Sequence, residues 1–134
     1  MSRRWLLVIL SAWTVQAGAA ESLPTDLVGE WAIEKSEFSQ GTLSRGAAIY
    51  LTARGVGVLV GSPPPLLATG PATYDTRTQT LTLQLTAQGG YNATCAFIHD
   101  PKAKTFKAQE PECGNGVFKR RRDHVPDHIL RLLR

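Results

Sequence analysis

Residues 80–86 of the chain read TLTLQLT, with leucine at every second position and threonine or glutamine between. An alternation of period two places one set of side chains on each face of a β-strand. These leucines therefore predict a strand with one face in a hydrophobic core and threonine mostly toward solvent. It is the cleanest alternation in the sequence, and it favours an all-β chain.

Shorter stretches of the same alternation follow one another along the chain, with turn residues between them. The predicted strands cover residues 29–36, 46–52, 56–60, 80–86, 91–99, 104–109 and 116–121, with a short strand near 71–75. The predicted fold is all-β, with about eight antiparallel strands in an up-and-down barrel and a short C-terminal helix, because a closed barrel leaves no strand edge exposed. A sandwich of two sheets is the competing arrangement.

Two segments interrupt the predicted strands. Residues 36–45 (SEFSQGTLSR) are predicted to form a long polar loop. Residues 62–67 (SPPPLL) are predicted to be stiff and locally extended because of their prolines. The two leucines of this second segment either fold back onto the core or form part of the rim at a barrel mouth.

The N-terminus has the features of a secretory signal. Arg3 and Arg4 are followed by an apolar run to about residue 15, and then by small residues at 17–20. The run is shorter than the roughly 20 apolar residues of a transmembrane helix. The sequence therefore predicts a periplasmic or secreted protein, exported through the Sec or the twin-arginine route. The predicted segments are a cleaved signal peptide at 1–19, a barrel domain at 20–122 and a basic amphipathic helix at 123–134.

Basic residues are concentrated near the C-terminus. Six basic and two acidic residues lie from Lys119 onward, a local charge of +4. Four apolar residues between Val125 and Leu133 have the spacing of one helical face, with Arg131 and Arg134 off that face. Docking on the barrel wall and peripheral contact with an anionic membrane surface both fit this pattern. Nucleic-acid binding is not predicted from so local a basic run, and the chain is expected to be a monomer.

Cys95 and Cys113 are the two cysteines of the chain. An isolated pair in an exported chain predicts one disulfide bond. The pair has neither the C-x-x-C spacing nor the additional ligands of a redox or metal site. We therefore expect a structural cross-link.

The two ends of the predicted barrel domain carry a recognisable pair of motifs. Residues 29–31 (GEW) begin the first predicted strand, and residues 118–122 (FKRRR) end the last one. A Gly-x-Trp start in an exported all-β chain of about eight strands resembles the lipocalins and the wider calycins. The resemblance implies that Gly29 and Trp31 close one end of the barrel, and that Arg120 or Arg122 lies across the indole ring as a cation–π pair. It also implies a non-catalytic binding protein for a small apolar ligand. The cavity residues expected for that ligand are Ile49, Val58, Leu83 and Phe97.

The same region is similar to the start of the bacterial inhibitors of serralysin-type metalloproteases. These are exported lipocalin-like barrels with one disulfide, and they begin with a short free segment followed by Leu-Ala-Gly-x-Trp. Here residues 27–31 (LVGEW) follow such a segment, although the cysteines lie later than in that family. The resemblance implies that Glu21, Ser22 and Leu23 enter a protease cleft. The alternative function is therefore a protein inhibitor of an envelope or secreted hydrolase.

No residue pattern predicts catalysis, a cofactor or a metal centre. The sequence has no serine nucleophile elbow and no glycine-rich phosphate loop. His124 and His128 are four residues apart near Asp127, which is a possible metal pattern. Pro126 more naturally marks the first turn of a helix that leaves His124 outside it, so both histidines are predicted to be solvated.

His99 precedes Asp100 and would otherwise suggest a catalytic base. An internal echo argues against that role, because residues 74–81 and 99–106 share the order aromatic ring, Asp, basic residue, Thr and large apolar residue. Asp at the first corner of a turn hydrogen-bonds the backbone ahead of it. Both copies therefore predict hairpin turns, with Tyr74 and His99 as equivalent rings at strand ends. The protein is predicted to act by binding and not as an enzyme.

Overall fold

The computed structural model describes residues 22–134. Nine strands, one 3₁₀ turn at Pro111–Cys113 and one short helix make up its regular structure. The strands are β1 (Gly29–Ile33), β2 (Glu37–Ser39), β3 (Thr42–Leu51), β4 (Val56–Ser62), β5 (Leu66–Asp75), β6 (Thr80–Ala87), β7 (Asn92–Asp100), β8 (Thr105–Ala108) and β9 (Val117–Arg122), and the helix is α1 (Asp127–Leu132). The predicted signal peptide and Glu21 lie outside the described residues.

The sheet closes on itself. From β3 to β9 each strand pairs with the next, and β1 pairs antiparallel with both β3 and β9. β2 pairs with β3 as an extra strand beside the barrel. These pairings confirm the predicted antiparallel barrel of eight strands with a short C-terminal helix. The sandwich arrangement is wrong, because one continuous sheet joins its first strand to its last.

The predicted polar loop at residues 36–45 is also wrong, because it contains β2 and the first part of β3. The alternation is hidden there by a change of face at Gly46. Leu43 packs in an outer cluster and Ile49 packs inside the barrel, although both have odd numbers. Gly46 has φ +105°, and a Cβ at this position would collide with Ser36. Beyond such a change, odd-numbered residues face the opposite side of the sheet, so a strict alternation of period two does not identify the whole strand.

β5 is longer than the predicted short strand near residues 71–75, since it begins at Leu66. Its inward residues include Ala68 and Ala72, which are buried but small. Alanine and threonine give little hydropathy contrast, so the alternation is weak in the sequence. Residues 63–65 form the turn that leads into β5, and Leu66 lies exposed at the rim of the barrel.

Apolar side chains cover both faces of part of the barrel wall. The inner cluster includes Leu81, Leu83 and Leu85 of β6, which confirms the inward face predicted from their alternation. The outer cluster lies on the opposite side of the wall, beneath α1. Its buried members are Ala32, Leu43, Ala48, Tyr50, Val58, Val125 and Ile129. The predicted helix therefore docks on the barrel.

The order of the strands gives the barrel two different ends. Residues 23–28 and the turns that follow β3, β5 and β7 lie at one end, which we name the closed end. The turns that follow β4, β6 and β8 lie at the other end, which we name the mouth.

Candidate functional site

Trp31 fills the closed end of the barrel. Its side chain is fully buried, and its indole Nε1 donates a hydrogen bond to the carbonyl oxygen of Leu27 at 2.9 Å. The guanidinium carbon of Arg120 lies 5.9 Å from the centre of the indole ring. Arg120 Nη2 also donates hydrogen bonds to the carbonyl oxygens of Thr25, at 3.1 Å, and Val28. Arg120 therefore joins the N-terminal segment to the last strand across the indole ring.

Gly29 allows the chain to enter β1 at this crowded point. Its φ is +136°, and a Cβ would collide with the carbonyl group of Arg122. The side chain of Arg122 lies away from the indole, and its Nε donates to Glu30 Oε1 at 3.3 Å on the outer wall. Of the two arginines predicted to cover Trp31, the structure places Arg120 there and pairs Arg122 with Glu30.

Glu30 is an acidic residue buried on the outer wall, with 2 % of its surface exposed. Arg121 and Arg122 are both within salt-bridge distance of its carboxylate. The phenol of Tyr50 is buried beside the same group, and burial, followed by the charge of Glu30, raises its pKa. Sequence reasoning missed this cluster because its residues come from β1, β3 and β9, which are far apart in the sequence.

The N-terminal segment is part of the closed end from Leu23 onward. Leu23 and Leu27 are buried in the inner cluster, and the Leu23 N–H donates to the carbonyl oxygen of Ala53 at 3.2 Å. Ser22 and Pro24 are exposed. Leu23, which was predicted to enter a protease cleft, therefore packs against the protein's own core in this structure.

Two rings from the internal echo contact each other near Trp31. Tyr74 Oη lies 2.9 Å from His99 Nδ1, and the His99 ring is 4.9 Å from that of Phe106. Only 4 % of His99 is exposed. Burial lowers the pKa of His99, while the charges of Asp26 and Asp100 act in the opposite direction. The echo had indicated equivalent positions for Tyr74 and His99, but nothing in it indicated that they touch.

This environment predicts a pH-dependent stability. Below the ordinary histidine pKa of about 6.5 the unfolded chain binds a proton at residue 99, whereas the folded chain resists it. The free energy of unfolding should therefore fall as the pH decreases from about 6.5 toward the lowered pKa of folded His99. The free energy of unfolding is measured by urea denaturation at several pH values in this range. It should change less with pH in His99→Gln than in the unchanged chain. His124→Gln, at an exposed histidine, is the control, and an equal change with pH in both variants would contradict the assignment to His99.

The residues predicted to line a ligand cavity do not share one. Ile49, Leu83 and Phe97 are fully buried in the inner cluster, where the ring of Phe97 packs against those of Phe106 and Phe118. Val58 belongs to the outer cluster, beneath α1, so its predicted inward position is wrong. In β4 the inward neighbour is Leu59, and the alternating valines mark the face covered by the helix.

A small apolar recess opens at the mouth. Its volume is about 60 Å³, and its wall includes Leu59, Leu85 and Cys95. The rim carries Leu66 and Tyr91, which are 42 % and 69 % exposed. The mouth recess is therefore much smaller than the roughly 300–1,000 Å³ that is usual for ligand sites.

A larger groove lies on the outer wall between α1 and strands β3–β5, and we name it the wall groove. Its volume is about 400 Å³. The apolar side chains that line it are Leu43, Val60, Leu66, Leu67, Ile129 and Leu132. Ser62 and His128 supply polar groups to the same surface. Leu66 lines both this groove and the mouth recess, so the two apolar surfaces are adjacent.

The predicted disulfide joins Cys95 of β7 to Cys113 of the 3₁₀ turn. Both sulfurs are buried, and the bond confirms the cross-link expected from the sequence. It fixes the long connection between β8 and β9 to the wall at the mouth. A disulfide in so small a barrel is compatible with an exported protein.

The described residues show no cluster of three or more histidine, cysteine, aspartate or glutamate side chains that could hold a metal ion. His124, which belongs to the possible metal pattern, instead contacts its neighbour in the chain, with His124 Nδ1 lying 3.0 Å from Asp123 Oδ1. No helix described for residues 22–134 has the length and apolar character needed to span a bilayer.

These features define two candidate binding surfaces, the mouth recess and the wall groove. Their lining is mostly apolar, and they differ in volume by more than a factor of five. The chain was also compared with known proteins. No protein-family model matches it, and no curated protein or solved structure matches it significantly.

Proposed function

We propose that this chain is an exported, non-catalytic, lipocalin-like protein that binds a small apolar ligand in the wall groove. The observation that carries the proposal is the size and lining of that groove. Its volume of about 400 Å³ falls in the range of about 300–1,000 Å³ that is usual for ligand sites. The packed interior of the barrel supports the groove as the site, because aromatic side chains occupy the place of a central cavity.

The groove also has the chemical character of a ligand site. Such sites combine a mainly apolar wall with a few polar groups that orient the ligand. Here Leu67, Ile129 and Leu132 contribute apolar surface from both sides, and Ser62 and His128 lie at the same surface. We therefore expect a ligand with an extended apolar part and at most a small polar group.

Binding is measured first with N-phenyl-1-naphthylamine, an apolar dye that fluoresces when it leaves water. Ser62→Phe adds an aromatic ring at the groove, and we expect it to weaken dye binding by about tenfold or more, which corresponds to about 1.4 kcal/mol of lost contact. Thr73→Phe is the matched control, because it adds the same ring to an exposed strand position on another part of the wall. Native mass spectrometry of the exported chain then identifies any ligand that co-purifies.

Equal dye affinity in the Ser62→Phe and Thr73→Phe variants would contradict the wall groove as the site. Ala93→Leu, which fills the mouth recess, separates the remaining explanations. Loss of dye binding in this variant alone would move the ligand to the mouth.

A second candidate function is the inhibition of an envelope or secreted hydrolase. The observation that favours it is the small apolar mouth recess beside the exposed ring of Tyr91, which we expect to take one apolar side chain of the target. In this form the protein contacts its target through the mouth, since Leu23 is occupied at the closed end. Inhibition of a serralysin-type protease that is lost in Ala93→Leu and kept in Ser62→Phe would favour this candidate over the carrier.

A further inference from the structure

The short helix α1 has one side that packs on the barrel and one side that faces away from it. Ile129 is buried against the wall, and Leu133 packs beside it. Leu132 lies three residues from Ile129 on the same side, and it lines the wall groove. Leu130 lies on the side that faces away from the groove, and it is 37 % exposed.

Two unpaired basic groups lie beside Leu130. Arg131 and Arg134 are exposed, and neither forms a salt bridge within the part of the chain that the structure describes. Together with Leu130 and Asp127 they line a shallow depression of about 330 Å³. Asp127 is the single acidic group in this lining, so the surface carries a net positive charge.

The arginines of β9 differ in this respect, because they are committed to contacts inside the protein. Arg120 covers Trp31, and Arg122 pairs with Glu30. Arg121 lies 4.2 Å from the ring centre of Phe38 and also faces Glu30. Part of the basic charge predicted for the C-terminal region is therefore used internally, and the free part lies at Arg131 of α1 and at Arg134 just after the helix.

We propose that the surface formed by Leu130 and Arg131 of α1 and by Arg134 just after it, named here the helix patch, binds the surface of an anionic lipid bilayer. Arginines near such a surface are attracted to acidic headgroups, and each contributes about 1 kcal/mol. A leucine beside them, here Leu130, inserts into the boundary between headgroups and acyl chains. The helix patch provides both contributions on one side of a helix that the barrel already holds in place.

The size of the patch favours a bilayer over a protein partner. A specific protein interface usually takes about 20–30 residues a side with complementary shape. A lipid surface needs no matching shape, and each basic or apolar residue adds its own attraction. The proposal concerns a surface separate from the ligand in the wall groove, and it stands or falls independently of that ligand.

The test is sedimentation of the exported chain with vesicles of phosphatidylcholine alone and of equimolar phosphatidylcholine and phosphatidylglycerol. We expect binding to the anionic vesicles and little to the neutral ones. Raising the salt from about 0.1 M to 1 M shortens the Debye length from about 10 Å to 3 Å and should release most of the bound protein. The double variant Arg131→Gln/Arg134→Gln should bind anionic vesicles about 25-fold more weakly, from about 1 kcal/mol for each arginine.

Lys102→Gln/Lys107→Gln is the matched control, because it removes the same charge from exposed positions on β8 and the turn before it. Leu130→Ser tests the apolar part of the patch and should also weaken binding. The proposal is overturned by equal binding to neutral vesicles, by equal losses in the two double variants, or by no binding to either vesicle. Retention on polyglutamate without vesicle binding would overturn it as well, and would assign the patch to an acidic protein.

Discussion

Replacing Trp31 with alanine is expected to lower the free energy of unfolding by about 3–5 kcal/mol, the usual cost of removing a large buried aromatic side chain. The substitution leaves a cavity at the closed end and removes the hydrogen bond to Leu27. It also removes the ring beneath Arg120, whose buried Nε has no hydrogen-bond partner among the described residues. Small domains are stable by about 5–15 kcal/mol, so this one change removes a large share of the total.

Urea denaturation followed by far-ultraviolet circular dichroism measures this loss, because the substitution deletes the tryptophan fluorescence of the closed end. Tyr91→Ala is the control, since this ring is 69 % exposed and its removal should change stability by no more than about 0.5 kcal/mol. Trp31→Phe keeps a ring in place and serves as the milder variant if the alanine variant does not fold. A cost below that of Tyr91→Ala would show that Trp31 does not support the closed end.

The second large effect is expected at the mouth, where Cys95→Ala/Cys113→Ala removes the disulfide. The two cysteines are 18 residues apart, and opening a loop of this size should cost roughly 3 kcal/mol on the chain-entropy model. Both positions are buried, so alanine is chosen because it leaves no unpaired hydroxyl in the inner cluster.

The unchanged chain treated with a reductant is the control for this double variant. It lacks the bond but keeps both sulfur atoms, so it separates the loss of the cross-link from the loss of packing. We expect the reduced chain and the double variant to unfold at similar urea concentrations, well below the oxidised chain. Equal stability of the oxidised and reduced chains would contradict a structural role for the bond.

The barrel was predictable from the sequence where one face of a strand is apolar and the other polar. β6 shows this most clearly, because Leu81, Leu83 and Leu85 point inward while Gln84 and Thr86 are exposed. The prediction failed where both faces are covered. In β4, Val58 lies under the helix and Leu59 lies inside, and their hydropathy alone does not distinguish the two environments.

The candidate site was harder to predict from the sequence than the fold, for a related reason. The closed end could be predicted because the Gly29-Glu30-Trp31 motif is local and the FKRRR run is conspicuous. The wall groove has no local signature, because residues near Leu43, Ser62 and Leu132 meet there only after the barrel closes and α1 docks. The alternation within one segment does not indicate which distant segments will lie beside it in the folded protein.

The pairing of β1 with β9 also has a consequence for how the chain reaches this structure. Glu30 and Arg122 meet across 92 positions of sequence, so closure of the barrel requires one of the longest-range contacts in the molecule. Chains that depend on such contacts fold slowly compared with chains that depend on neighbouring residues. The hairpins from β3 to β8 can form in turn, but one edge of β1 stays unpaired until β9 reaches it. The barrel is therefore completed only when Val117–Arg122 joins the first strand.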